Sequence, residues 1–107
     1  MNDQEQYVRY REDSKVLAAI GVCVDAQVGP VTVRLPKALA EAAVAAWDRD
    51  EVGGLGEETY EQYALRDCAA ELAFIGLAIT RHGRTDGEEV VVDLNVASAG
   101  AAVRASQ

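Results

Sequence analysis

Between residues 58 and 81 apolar side chains return every three or four positions, at Leu65, Cys68, Leu72, Ile75 and Ile79. That spacing predicts a helix with one buried face. Its second half, residues 73–79, is apolar all round, as in a helix that is central to a fold or shared with a second chain. Gly83 is placed to stop it, and Arg81, His82 and Arg84 put positive charge where the helix dipole favours it. Upstream, residues 31–35 alternate, with Val31, Val33 and Leu35 inward and Thr32 and Arg34 outward, which predicts a strand. Pro36 suits the first turn of a following helix. Leu39, Ala42, Ala43, Ala46 and Trp47 then form an apolar stripe to about residue 48.

Residues 15–25 carry Val16, Ala18, Ile20, Val22 and Val24 at period two, which favours a strand buried on both faces. A helix capped by Ser14, grouping Leu17, Ile20 and Val24, is the alternative. Gly29-Pro30 marks a turn, so a hairpin partner for residues 31–35 is expected in 16–24. Residues 85–87 read as a turn and 90–94 as a third strand, with Val90, Val92 and Leu94 on one face. Asn95 can cap a final helix over 96–105. Residues 1–13 are polar and expected to be flexible, although Tyr7, Val8 and Tyr10 could dock. Residues 48–58 form an acidic linker loosened by Gly53, Gly54 and Gly56. The expected order is β-β-α-α-β-α. It describes one α+β domain over 14–107, a small two- or three-stranded sheet packed by a long central helix.

Composition narrows the picture. Half of the 107 residues are apolar, enough to fold around a modest core without staples. Nineteen alanines and six aromatics imply closely approaching elements, with Trp47, Phe74 and the Leu/Ile/Val set as anchors. A net charge of -8 opposes non-specific binding to a phosphate backbone and suits a basic protein partner. Cys23 and Cys68 sit in apolar runs with no secretory signal before them, so buried free thiols in a reducing cytoplasm are expected. No apolar run reaches the 18 or more residues of a spanning helix, so no membrane association is expected. The Ala/Val/Arg/Asp/Glu bias with two lysines resembles small acidic proteins of high-GC actinobacterial genomes, which carries no function.

The strand-proline-helix over residues 31–47 resembles the start of ribbon-helix-helix DNA-binding proteins. In that family the strand pairs with its twin from a second chain, and the ribbon enters the major groove. The resemblance implies a dimeric transcriptional regulator in which Thr32 and Arg34, with Lys37 close behind, contact DNA. The chain departs from the family in four ways. The strand begins at residue 31, the linker to the second helix is long and acidic, that helix is about twice the family's length, and a further strand and helix follow it.

Other chemistry is sparse. Residues 48–59 place acids at loop positions one and three and glycine at six, as a calcium-binding EF-hand loop does. Val52 at position five and Thr59 at position twelve forfeit two ligands, so a solvated linker is expected, without metal or cofactor. His82 is the single histidine, and its place at a helix end between arginines reads as structural. No nucleophile–base spacing and no phosphate-cradling glycine loop is present, so no catalytic residue is expected. Two acidic clusters remain. Asp48, Asp50, Glu51, Glu57, Glu58 and Glu61 surround the linker, and Asp86, Glu88 and Glu89 precede the last strand. The first is the expected docking face for a basic protein partner. Phe74, Leu77 and Ile79 are expected in a homodimer interface or in the core. A non-catalytic cytoplasmic interaction or regulatory module is the reading these features favour, ahead of the DNA-binding regulator.

Overall fold

The computed structural model describes residues 3–25, 32–49 and 59–107. In chain order these form α1 (Asp3–Asp25), β1 (Thr32–Pro36), α2 (Lys37–Arg49), α3 (Tyr60–His82), β2 (Arg84–Asp86), β3 (Glu89–Asp93) and α4 (Val96–Ser106). The class is α+β, but the order is α-β-α-α-β-β-α. The strand expected at 15–25 is the second half of a 23-residue helix. Residues 3–13, expected as a flexible lead-in outside the domain, are the first half of that helix.

The reason lies in a longer period. Tyr7, Tyr10, Asp13, Leu17 and Ile20 are all buried, and steps of three and four residues line them up on one helical face. Val22, which the two-residue period places with Ile20, is 60% exposed. Ser14 lies inside the helix and bonds back to the Arg11 carbonyl at 2.6 Å, so it caps nothing. The long helix α3 therefore has an equally long neighbour, and it packs against α1, α2, α4 and β3.

The sheet is antiparallel with the order β1-β3-β2. β1 pairs with β3 from Thr32↔Asp93 to Pro36↔Glu89, so its partner within the chain is not residues 16–24. β2 and β3 form a hairpin that was expected only as a turn and one strand. Gly87 opens the two-residue connection with φ +65°, the backbone that tight hairpin turns demand and side chains resist. Pro36 closes β1 rather than opening α2. On an edge strand its missing N–H leaves no ladder bond unmade. The Lys37 amide, one residue on, donates to the Glu88 carbonyl at 3.2 Å and ties the start of α2 to the hairpin.

One face of the sheet and the inner faces of the helices make the core. Val33, Leu35, Val90 and Val92 meet Leu17 and Ile20 of α1, Ala40, Ala43 and Ala46 of α2, Leu72 and Ile75 of α3, and Ala99 and Ala102 of α4. Alanine does here what its abundance implied and lets helix backbones come close. Tyr7 and Tyr10 pack edge to face, ring centres 5.5 Å apart, beside Ala69 and Leu65 in a smaller cluster. Trp47, expected as a core anchor, is only half-buried at the core's margin. Phe74 is not in the core at all, being 54% exposed.

Candidate functional site

α3 carries two seams of alternating three- and four-residue spacing on opposite sides. The inner one, through Leu65, Ala69, Leu72, Gly76 and Ile79, faces the rest of the fold and satisfies the helix's structural role. The outer one runs Tyr60, Tyr63, Asp67, Ala70, Phe74, Leu77, Arg81. Steps of 3-4-3-4-3-4 keep all seven on one side over about 32 Å of helix. Tyr60 is 88% exposed, Tyr63 52% and Phe74 54%, while Ala70 and Leu77 are half-buried. Three of the chain's six aromatic rings thus stand in solvent along one line.

The helix is held firmly enough to present such a line. Thr59 accepts a hydrogen bond from the Gln62 amide at 3.1 Å, and the Gln62 side chain accepts one from the Thr59 amide at 3.0 Å. This reciprocal capping box satisfies two otherwise orphaned donors. At the other end the Gly83 amide donates to the Ile79 carbonyl at 2.8 Å, and a side chain on Gly83 would collide with that carbonyl.

Beside the N-terminal half of the seam lies an open groove of about 460 Å³ between α3, α4 and α1. Tyr60, Tyr63, Asp67, Cys68 and Glu71 form one wall, and Ala101 and Arg104 the other. The Arg66 guanidinium lies 5.1 Å from the centre of the Tyr63 ring. Burial, then the charge of Asp67, raises the Glu71 carboxyl above its usual value, and Arg104 partly offsets this. Burial raises the Cys68 thiol, with Asp67 and Glu71 adding to it. A thiol so placed stays protonated at neutral pH and is a poor nucleophile. Neither Cys68 nor Cys23 forms a disulfide, and both are half-buried, not fully buried as expected.

The other candidate residues are dispersed. Of the acidic set, Asp48 near the end of α2 and Glu61 at the start of α3 are exposed, whereas Asp50, Glu51, Glu57 and Glu58 lie outside the described residues. So do most positions of the calcium-loop pattern. Thr32 and Arg34 point outward from β1 as expected, but each is already engaged. The Thr32 hydroxyl donates to Asp93 on β3. Arg34 Nη1 bonds Asp86 at 2.8 Å and lies 3.5 Å from Glu89. The hydrogen bond and charge of Asp86 raise the Arg34 pKa further. Lys37 is exposed at the start of α2, and His82 is exposed at the end of α3. Ile79 packs against the core, which separates it from Phe74 and Leu77 on the outer side. Among the described residues no three His, Cys, Asp or Glu side chains gather in a way that could hold a metal ion. Nor is any described helix long and apolar enough to cross a membrane.

Tyr60 and Tyr63 escaped the sequence reading. Their signal was present, because the outer 3-4 spacing is as regular as the inner one. It was hidden because the inner seam carries the aliphatic residues that dominate a search for periodicity. Comparison with protein families, with curated proteins and with solved structures finds no match for this chain.

Proposed function

We propose that this chain is a non-catalytic protein-interaction or regulatory module that docks through the outer seam of α3. The observation that carries the reading is the row of exposed rings, Tyr60, Tyr63 and Phe74, on a capped, well-packed helix. Large aromatic groups standing in water gain most when a partner covers them, and they are the residue types that dominate binding energy at protein interfaces. Acidic side chains border the row at Glu61, Asp67 and Glu71, so the matching surface is apolar with basic groups at its edge. This shifts the centre of the expected docking face from the linker acids to the helix that follows them, which among the described acids of that set carries Glu61.

The engagement of Arg34 and Thr32 by carboxylates on neighbouring strands favours this reading over DNA binding by β1. A guanidinium already held by two acids must give them up before it meets a base edge. The outer sheet face it occupies also carries Asp86, Glu89 and Asp93, which repel phosphate.

Photo-crosslinking tests the proposal directly. A benzophenone amino acid placed at Tyr63 or Phe74, in cells of the source organism, is expected to give discrete protein adducts. The same group at Glu41, exposed on α2, is the control. Adducts no more abundant at 63 and 74 than at 41 would sink the reading.

A further inference from the structure

The geometry points to a second copy of this chain as the occupant of the α3 seam, the two helices antiparallel about a two-fold axis at Phe74. This rests on the reading of the seam as a docking face and names what docks there.

Charge placement along the seam selects this arrangement. The seam's two charged positions are Asp67 and Arg81, both exposed, and each lies seven residues from Phe74 on opposite sides. A two-fold axis at Phe74 therefore sets Asp67 of one protomer against Arg81 of its partner, and the symmetry repeats the pair at the other end. Between them the axis sets Ala70 against Ala78 of the partner, small against small, so the backbones can approach. The two Phe74 rings meet at the axis. A parallel pair fails on the same positions, because it sets Asp67 against Asp67 and Arg81 against Arg81. The antiparallel arrangement also runs the helix dipoles in opposition. An isologous contact of this kind closes on itself and gives a dimer rather than a fibre.

The inference explains why a helix that already buries one heptad seam carries another. It also supplies the basic group that the acidic edge of the seam calls for, from the far end of the same helix.

Sedimentation equilibrium on the full chain tests it. The expected mass is twice the 11.4 kDa of one chain, at concentrations up to about 100 µM, where micromolar dimers are populated. Asp67→Arg alone and Arg81→Asp alone are each expected to weaken the dimer by about tenfold or more, since each opposes like charges twice. The double exchange Asp67→Arg with Arg81→Asp restores the pairing with reversed sign and is expected to recover most of that loss. Both positions of change are in solvent, and unchanged far-ultraviolet circular dichroism verifies the fold. A chain that remains monomeric throughout overturns the inference, as does a dimer that the single exchanges leave intact or the double exchange fails to rescue. A monomer that nonetheless gives crosslinks to another protein at Tyr63 and Phe74 removes the second copy while leaving the docking face standing.

Discussion

Gly76 of α3 lies directly against the carbonyl oxygen of Ala43 in α2, so close that a methyl group in place of its hydrogen would overlap that oxygen. Gly21 of α1 stands in the same relation to the carbonyl of Ala102 in α4. These two contacts fix how closely α3 approaches α2 and α1 approaches α4. A helix-interior Gly→Ala change gains about 1 kcal/mol of propensity. Here it must also push a backbone away, and overpacking of that kind costs about 1–3 kcal/mol or more. Gly76→Ala and Gly21→Ala are therefore each expected to lower the urea midpoint. Gly100→Ala in α4 is the internal control. Its new methyl meets only the mobile end of Arg104, at 3.3 Å, so a gain of about 0.5–1 kcal/mol is expected.

A second prediction concerns the ion pair that joins α1 to the end of α2. Arg49 Nη2 lies 2.7 Å from both carboxylate oxygens of Asp13. The partners are unequally buried, with 9% of the Asp13 side chain exposed against 31% for Arg49. Losing Arg49 strands a carboxylate in the interior, a change that typically costs about 3 kcal/mol or more. Losing the charge of Asp13 leaves a guanidinium that can turn to water, at about 1 kcal/mol. Arg49→Met is expected to destabilise clearly more than Asp13→Asn in parallel urea titrations. Equal losses would mean that the stranded carboxylate finds water.

These two features mark where the sequence was legible and where it was not. The strand at β1, the helix at α2, the long α3 and the Asn95-capped α4 all follow from local signals. Asn95 accepts from the Ser98 amide at 2.7 Å as its position implied. The first helix was misread because a run such as Val22-Cys23-Val24 satisfies a two-residue period by composition alone. The polar residues ahead of it looked like a separate segment. Only when Tyr7, Tyr10 and Asp13 are joined to Leu17 and Ile20 does the helical period emerge. Asp13 reads as a solvent residue until its partner Arg49, 36 positions away, is known to meet it. Strand pairing is equally non-local. The alternation of residues 31–35 says which side faces the core, but nothing in it selects β3, some 60 residues on, as the neighbour. The outer seam was legible in spacing but not in meaning, since exposure of Phe74 depends on what packs elsewhere.

Glu71 gives a pH prediction. Burial and Asp67 raise its carboxyl above the ordinary 4.5, with Arg104 opposing. A raised folded-state value means the folded chain holds this proton more tightly than the unfolded one. Its contribution to stability is fully present below pH 4.5 and is lost as pH rises through the higher folded value. At neutral pH the ionised carboxylate is thus a small burden, screened by the solvent that reaches the groove. Glu71→Gln is expected to raise the denaturant midpoint at pH 7.5, with the advantage shrinking as the pH is taken down to 4.5. A variant less stable than the native chain at pH 7.5 would show that the attraction to Arg104 outweighs burial and Asp67.

The thiol of Cys68 reports on the same wall of the groove. Burial raises it above the ordinary 9.0, and the charges of Asp67 and Glu71 act in the same direction. Alkylation proceeds through the thiolate, so its rate against pH should show a midpoint above that of an unhindered thiol. Accessibility alone scales such a curve without moving it, whereas charge moves the midpoint. Asp67→Asn removes one of the two carboxylates, and the midpoint for Cys68, followed by mass spectrometry of its peptide, is expected to fall towards 9.0. Cys23 on α1, which lines no part of this groove, serves as the control within each sample. An unmoved Cys68 midpoint would mean that burial alone governs the thiol. A native midpoint well below 9 would reopen a nucleophilic role that the present environment argues against.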